Sequence, residues 1–302
     1  MSAPLPSALT ALAALTALPE GGRRSDWRPA ARPGLVLLDV DGTLMGPAGV
    51  VTPAVVAAVR AVVDAGVAVG FATGRNVAGV SAAHEQLGID GPHIVLNGAQ
   101  VRTGGRPVAT WPLTMAQRDA VLELCDRRGF YAELYGDDGF VVTAMDEVYR
   151  LHWNEIIGQP IGTVADHPEA VERTIKATIV TRDSDGLAEV LAAMTELGLN
   201  AGAATSPITP GLTYVNITHP DADKGTAVAA AAASLGLGTD AVVVVGDGAN
   251  DLPMLAVAGT AIAMGDAGPA VTAAAHHVVP GVEEDGAAVA LQAVLDWVHE
   301  AG

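Results

Sequence analysis

Residues 35–43 read LVLLDVDGT, and this stretch decides the class of the fold. Four consecutive apolar residues, 35–38, are typical of a strand that is buried on both faces in the middle of a parallel sheet. Asp39 and Asp41 come at its end, and Gly42 turns the chain so that each carboxylate can take its own position. Open parallel sheets bind ligands at the carboxyl ends of their strands. The stretch therefore predicts an α/β protein with two functional carboxylates at that edge.

The rest of the chain outside its middle third repeats this arrangement. Short β-branched runs alternate with longer alanine-rich segments, which indicates strands and crossover helices around a doubly wound, Rossmann-like parallel sheet. Thr52 and Pro53 predict the start of a helix, and Gly66 predicts its end. Further strands are predicted at 67–73, 93–97, 241–246 and 260–264, and further helices at 76–87, 224–235, 250–257 and from about 285 onward.

The segment 99–214 has a different pattern and is predicted to be an inserted α+β domain. It holds all four tyrosines and a predicted hairpin at 130–142, whose Asp138-Gly139 pair is a strong turn signal. A strand at 174–180, a helix at 186–197 and a strand at 199–204 are expected to follow. The core is expected to resume near Tyr214 with the strand VNIT. The predicted organisation is a leader at 1–33, a core domain at 34–98 and 215–302, and the insertion at 99–214.

Three more polar motifs follow predicted strands or begin helices. TGR (73–75) offers a hydroxyl and a glycine amide at a strand-to-helix turn, which suits an anion. DKG (223–225) places Lys224 in the first turn of a helix, where only a bound anion would favour a cation. GDGAND (246–251) lets Asp247 and Asp251 converge on Mg²⁺. Each motif taken alone is also compatible with a helix cap, a solvated lysine or an Asp-rich turn.

The ordered set DVDGT (39–43), TGR, DKG and GDGAND resembles the motif series of the haloacid dehalogenase superfamily of phosphohydrolases. The stretches NGA (97–99), LPML (252–255), AMGDA (263–267) and EDG (284–286) are similar to its Cof-like branch with a type IIB cap. The resemblance covers about residues 34–300, with 99–214 matched by position and length only. It implies a Rossmann-like core with an inserted α+β cap, and Mg²⁺-dependent chemistry on a phosphate ester.

The same resemblance implies a role for each motif residue. Asp39 is implied to be the nucleophile that forms an aspartyl-phosphate, and Asp41 the acid and base that serves the leaving oxygen and the attacking water. The residues implied to hold Mg²⁺ are Asp39, Asp41 through its backbone carbonyl, Asp247 and Asp251. The residues implied to hold the phosphoryl group are Thr73, Gly74, Lys224 and Asn250, and Asn250 is also a candidate to position Lys224.

Three functions are compatible with these motifs. The first is a Mg²⁺-dependent phosphatase of a small phosphorylated metabolite, such as a sugar phosphate or a phosphorylated cofactor. The second is a phosphomutase with the same aspartyl-phosphate, and the third is a non-catalytic protein that binds phosphorylated metabolites. Candidate leaving-group contacts in the insertion are Tyr135, Asp137, His152, Trp153 and Lys176. Packing is the favoured explanation for the aromatic residues, and solvent contact for Lys176.

The amino-acid composition limits the classes of molecule that the protein is expected to bind. A formal charge of −18 disfavours nucleic acid and anionic membrane surfaces, because both reward clustered lysine and arginine. Cys125 is the only cysteine, which fits a reducing cytoplasm. The apolar run at 8–18 is too short to span a bilayer and has no basic residues before it, so secretion is not expected. It is predicted to be a mobile leader, or a short helix that contacts the body, a partner or a second copy.

Overall fold

The computed structural model describes residues 28–206 and 208–300. The leader helix predicted at 8–18 lies outside the described residues. Within the described ranges, every helix is too short or too polar to traverse a lipid bilayer. The strands are β1 (Leu35–Leu38), β2 (Ala68–Phe71), β3 (His93–Val95), β4 (Gln100–Thr103), β5 (Arg106–Thr110), β6 (Tyr131–Tyr135), β7 (Phe140–Val142), β8 (Lys176–Thr181), β9 (Asn200–Thr205), β10 (Thr213–Thr218), β11 (Val242–Gly246), β12 (Thr260–Ala263) and β13 (His277–Val278).

Helices pack against the strands of both halves of the molecule. They are α1 (Pro53–Asp64), α2 (Ser81–Leu87), α3 (Met115–Arg128), α4 (Ser184–Glu196), α5 (Lys224–Ser234), α6 (Leu252–Val257), α7 (Pro269–Ala274) and α8 (Gly286–Glu300). Short helical turns also occur, among them Arg150–His152, which continues into a wider turn at Trp153–Ile157.

A five-stranded parallel sheet, in the order β13-β12-β11-β1-β2, forms the centre of one half of the molecule. Within it Leu38 lies opposite Val245 of β11 and Phe71 of β2. Every residue of β1 and β11 is buried. The even-numbered side chains of β1 pack in a core with α1 and α8, and the odd-numbered ones in a core with α5 and α6. The doubly wound fold predicted from the sequence is therefore confirmed.

The first crossover helix follows its sequence signals closely. Thr52 Oγ1 accepts the N–H of Val55 at 3.3 Å, and α1 begins at Pro53. The next helix, α2, begins at Ser81, later than the predicted Asn76. Asn76 Oδ1 instead accepts the N–H of Gly79 at 2.9 Å, and the residues in between form a tight helical turn. The side chain of Asn76 therefore begins a separate tight turn. The pattern of apolar residues could not distinguish this turn from the first turn of α2.

An antiparallel sheet in the order β7-β6-β8-β10-β9 forms the other half. We call it the cap sheet. The predicted hairpin is present as β6 and β7, with Tyr135 opposite Phe140. One face of the sheet packs on α3 and α4 through alternate residues of its strands, such as Leu134, Ile179 and Val215. The opposite face is turned toward the carboxyl edge of the parallel sheet, as the contacts described below show.

The prediction that VNIT returns the chain to the core is wrong. Strand β10 pairs antiparallel with β8 and β9, so it lies inside the cap sheet. Its alternating pattern explains this position, because Val215 and Ile217 face the helices while Asn216 points to the other face. The predicted boundary at 214/215 therefore cuts through a strand.

The other predicted boundary also needs revision. Strands β3, β4 and β5 form a small antiparallel sheet, which a single bridge between Ala72 and Ile94 joins to β2. Val101 of β4 packs in the same core as Leu35 and Leu37. Since β4 belongs to the core by packing, we propose that the insertion begins after β5 and ends after β10.

Gly98 sets the distance between this small sheet and the start of α5. It has a φ of +91°, and a Cβ there would collide with the backbone of Asp223 and Lys224. Gly98→Ala is expected to lower the free energy of unfolding by about 2–4 kcal/mol, since it adds a backbone collision to an unfavourable φ. Urea unfolding measures the change.

The matched control is Gly104→Ala. Gly104 also has a positive φ, +54°, but a Cβ there would meet open space. Its expected cost is only about 1 kcal/mol. Equal losses in the two variants would show that the contact with Asp223 and Lys224 does not constrain Gly98.

Candidate active site

Loops that follow neighbouring strands of the parallel sheet converge at its carboxyl edge. Asp39 follows β1, Asp247 follows β11, and Lys224 is the first residue of α5. The ammonium group of Lys224 donates to Asp39 Oδ1 at 2.7 Å and to Asp251 Oδ1 at 2.5 Å. Side chains from three separate motifs therefore form one buried cluster of charges.

The turn after β11 holds Asp251 in place. Its Oδ2 accepts the N–H groups of Asp247 at 3.0 Å and Gly248 at 2.9 Å, and its side chain is fully buried. Both carboxylate oxygens of Asp251 thus have donors, namely Lys224 on one side and the backbone on the other. Asp251 fixes the position of Lys224 relative to the loop.

Thr43 and Gly42 join the first motif to the last. The hydroxyl of Thr43, which is buried, donates to Asp247 Oδ1 at 2.8 Å. Gly42 has a φ of +87°, and a Cβ there would collide with the carboxylate of Asp247. Thr43 was not predicted to be a site residue, although its place in DVDGT, two residues after Asp41, was a signal that it contacts the site.

The three carboxylates could hold a metal ion. Asp39, Asp247 and Asp251 each offer one oxygen, and these oxygens lie within 4.8 Å of one another. Carboxylate oxygens at this spacing suit Mg²⁺, which accepts a few such ligands and completes its coordination with water and substrate phosphate. Because both oxygens of Asp251 already have donors, we expect Asp39 and Asp247 to be the direct ligands.

Burial and neighbouring charges both shift the pKa values of the residues in this cluster. Burial raises the pKa of Asp39 well above its ordinary value, the charge of Lys224 opposes that shift, and the charge of Asp251 reinforces it. Burial also raises the pKa of Asp247 to about 6. Burial alone would lower the pKa of Lys224, but the charges of Asp251 and Asp39 raise it above its ordinary value. A cation bound beside these carboxylates would therefore stabilise their ionised forms.

The TGR turn lies beside this cluster. Thr73 is fully buried, and its Oγ1 accepts the N–H of Arg75 at 3.1 Å. Two nitrogens of the Arg75 guanidinium group donate to the two carboxylate oxygens of Asp41, at 2.9 Å and 2.5 Å. The Asp41 side chain is more than half exposed. The proposed acid therefore has a specific cationic partner, which the sequence did not identify because the two residues lie in different motifs.

A left-handed turn connects the TGR loop to Asn250. Leu96, Asn97 and Gly98 have φ values of 56°, 58° and 91°. Such backbone is unfavourable for Leu96 and better tolerated by Asn97 and Gly98. It places Asn97 Oδ1 to accept a hydrogen bond from Asn250 Nδ2 at 3.3 Å. Lys224 donates to Asp39 and Asp251, while Asn250 donates to Asn97, and the prediction that Asn250 positions Lys224 or a phosphate oxygen stays a prediction.

The cap sheet contacts the same loop. Lys176 Nζ of β8 donates to the carbonyl oxygen of Gly74 at 3.1 Å. Asn76 Nδ2 donates to the carbonyl oxygen of Ile157 at 2.9 Å. Only 5% of the Lys176 side chain is exposed, so the expectation that it reaches solvent is wrong.

The other cap residues singled out from the sequence take structural positions. Trp153 is buried and donates to the hydroxyl of Tyr131 at 3.0 Å, and Tyr135 donates to Glu133 at 2.6 Å. These two aromatic residues therefore pack and bond inside the cap, as expected. The remaining two candidates, Asp137 and His152, lie beside Arg173 and Glu133 respectively.

The chain is similar to known phosphatases over most of its length. The profile of the haloacid dehalogenase-like hydrolases matches residues 36–291. A phosphoglycolate phosphatase of Methanopyrus kandleri is 27% identical over 264 residues, covering 87% of this chain and 98% of the relative. A 5-amino-6-(5-phospho-D-ribitylamino)uracil phosphatase of Bacillus subtilis is 26% identical over 286 residues, covering 86% and 97%.

Solved structures show the same fold. The subclass IIB sugar phosphatase BT4131 superposes with a TM-score of 0.73 at 22% identity, covering 86% of this chain and 98% of that one. The predicted fold, a Rossmann-like core with an inserted α+β cap, is therefore confirmed.

Replacing Lys224 with methionine tests the charge cluster. Lys224→Met leaves two buried carboxylates without their cation, and the free energy of unfolding in EDTA is expected to fall by about 3–5 kcal/mol. Adding Asp251→Asn to that variant removes one of the charges and should restore part of the loss. Urea unfolding of both proteins measures the effect, with the exposed Arg127→Met as a matched control. Equal losses in the single and double variants would contradict the cluster.

Added Mg²⁺ is expected to raise the melting temperature. At concentrations about a hundred times the dissociation constant, the rise should be about 5 °C, because the ion binds only the folded protein. Asp247→Asn should abolish it, since the variant removes a charged ligand. Asp119→Asn, an exposed change on α3, should retain it. A full shift in Asp247→Asn would rule out the assigned ligand.

Proposed function

The chain belongs to the haloacid dehalogenase-like hydrolase family, and on that premise we propose that it is a Mg²⁺-dependent phosphatase of a small phosphorylated metabolite. The reaction would proceed through an aspartyl-phosphate at Asp39. One observation carries the proposal: Asp39, Asp247 and Asp251 present oxygens within 4.8 Å of one another, with Lys224 bonded to two of these carboxylates. This combination supplies a nucleophile, a metal site and a phosphate-binding cation in one place.

The hydrogen bonds of Asp39 determine which of its oxygens attacks. Oδ1 accepts from Lys224 and keeps a second lone pair for the metal ion, so we propose that Oδ2 is the oxygen that attacks phosphorus. A bond forms between Oδ2 and phosphorus as the bond to the leaving oxygen breaks. Water then attacks phosphorus, the bond to Oδ2 breaks, and phosphate is released. Asp39 returns to its starting state as a carboxylate.

Asp41 would move the protons in both steps. It donates a proton to the leaving oxygen and then takes one from the attacking water. Arg75 holds both oxygens of its carboxylate, so Asp41 must leave this pair, at least in part, to act as an acid. The exposed position of Asp41 allows that movement. We propose that the ion pair with Arg75 holds the Asp41 side chain in a defined position until substrate binds.

The remaining site residues would bind the phosphoryl group. Mg²⁺, when bound, supplies positive charge that lets a carboxylate approach an anionic phosphate. Thr73, the Gly74 amide, Lys224 and Asn250 would hold the phosphoryl oxygens and the charge that develops on them. The overall charge of −18 is no obstacle, because repulsion from distant acids is screened over about 8 Å at physiological salt.

The substrate class follows from the relatives and the cap. The two relatives described above act on phosphoglycolate and on a phosphorylated ribityl pyrimidine, both of them small phosphorylated molecules. In this chain the cap sheet touches the TGR loop directly. A cap in contact with the proposed phosphate-binding loop would favour a compact metabolite and would help to exclude water from the phosphoryl group. We therefore propose small phosphate monoesters as substrates.

Hydrolysis of p-nitrophenyl phosphate tests the proposal. The purified protein with added Mg²⁺ is expected to release p-nitrophenol, and EDTA should abolish the activity. Asp39→Asn should lower kcat by roughly a thousandfold or more, because the amide cannot form the phosphoryl intermediate. Phosphate release from a panel of phosphorylated metabolites, phosphoglycolate among them, then identifies the substrate.

Asp119→Asn serves as the control and should keep full activity. Retained turnover in Asp39→Asn would refute the nucleophile. Isomerised product that depends on a sugar bisphosphate, with little free phosphate, would indicate a phosphomutase instead. Thermal stabilisation by metabolites without turnover of any of them would indicate a binding protein.

A further inference from the structure

Lys176 is a buried cation at the seam between the cap sheet and the core. It belongs to β8, and its register places it beside Tyr135 of β6 and Thr218 of β10. The neighbouring residues Ala177 and Ile179 point to the opposite, apolar face of the sheet. The side chain therefore projects from the face that carries Glu133. Its ammonium group ends 3.1 Å from the carbonyl oxygen of Gly74.

The charge of Lys176 has no ionic partner in the described part of the chain. No carboxylate oxygen in that part of the chain lies within 4.0 Å of its ammonium nitrogen. Its hydrogen-bond acceptor is a single carbonyl oxygen, and the ring of Tyr135 lies 5.1 Å from Nζ. An ammonium group has three protons to donate. A buried cation with one neutral acceptor is therefore poorly compensated.

Glu133, the nearby acid, is committed to other donors. Its Oε1 accepts from Tyr131 at 3.1 Å and its Oε2 from Tyr135 at 2.6 Å, and the side chain is fully buried. Burial lowers the pKa of Lys176 to about 8, and the charge of Glu133 only partly opposes that shift. At neutral pH the ammonium form still predominates. On this face of the cap sheet both oxygens of Glu133 therefore accept hydrogen bonds, whereas the Lys176 ammonium group donates only one in the described part of the chain.

We propose that Lys176 determines substrate specificity by pairing with an anionic group on the leaving alcohol, either a carboxylate or a second phosphate. The inference rests on the proposed phosphatase function and names its substrate class. A leaving group that offers only hydroxyls can accept a hydrogen bond from Lys176 but leaves its positive charge without an ionic partner. An anion instead supplies the partner that the buried ammonium group lacks.

The position of Lys176 separates this role from binding of the transferred phosphoryl group. The phosphoryl site proposed above is built from the core, by Lys224, Thr73 and the Gly74 amide. Lys176 comes from the opposite wall, the cap sheet, and contacts Gly74 through its carbonyl oxygen. A group that binds between the two walls, attached to phosphorus on the core side, is the leaving alcohol.

Matched pairs of esters test the proposal as competitors of p-nitrophenyl phosphate hydrolysis. The first pair, 3-phosphoglycerate and glycerol 3-phosphate, differs by a carboxylate in place of a hydroxymethyl group. The second, fructose 1,6-bisphosphate and fructose 6-phosphate, differs by a second phosphate. In at least one pair the acidic ester is expected to inhibit at a concentration at least about tenfold lower. Lys176→Met should bring that ratio close to one, while Lys176→Arg and the exposed Arg127→Met should preserve it.

Each result decides the question. No preference for the acidic ester in either pair in the wild-type protein overturns the proposal, whether or not the variants fold. A preference that survives in a folded Lys176→Met protein also overturns it. An equal loss of affinity for acidic and neutral esters in that variant would show that Lys176 binds the phosphoryl group instead. Absence of p-nitrophenyl phosphate hydrolysis in the wild type would refute the phosphatase function itself, which distinguishes the two failures.

Discussion

The site depends on one buried ammonium group, that of Lys224, held between two carboxylates. Removing these charges from water is costly, and only their mutual contact and the backbone donors to Asp251 offset the cost. The contact works only when β1, the start of α5 and the turn after β11 meet at the same edge of the sheet. The charge cluster therefore requires the assembled fold, and its hydrogen bond from Lys224 positions Asp39, the proposed nucleophile.

The two lysines of this acidic chain are both buried beside the proposed active site. Both are almost completely buried, Lys224 in the core and Lys176 in the cap sheet. A lysine that served only solubility would expose its ammonium group. Lys176 contacts the TGR loop, which itself carries Arg75, and Lys224 lies in the charge cluster with Asp39, in a protein whose net charge is −18. Local cations with short contacts thus set the electrostatics of the cleft, and the net charge acts only at long range.

Sequence reasoning succeeded where the signal was local. Apolar strands followed by Gly, Asp and Thr predict loops at a sheet edge, so the convergence of Asp39 and Asp251 could be anticipated from order alone. The place of Lys224 was implied by the family resemblance, because the strand that precedes it, β10, lies in the cap sheet. The membership of β10 in the cap sheet was missed, although its alternation of Val215 and Ile217 with polar residues differs from the continuous apolar pattern of β1. The Lys176–Gly74 contact spans two sheets and 102 positions. Such a contact depends on how the sheets are packed against each other, which no local pattern encodes.

The cap and the TGR loop are joined by hydrogen bonds from side chains to backbone carbonyl oxygens. Lys176 binds the carbonyl oxygen of Gly74, and the carbonyl oxygen of Ile157 accepts from Asn76, so the cap holds this loop from two directions. A movement of the cap sheet must therefore move the loop or break these bonds. Since the same loop carries Arg75, the partner of Asp41, the position of the cap is linked to that of the proposed acid. A leaving group that binds in this seam would act on both at once.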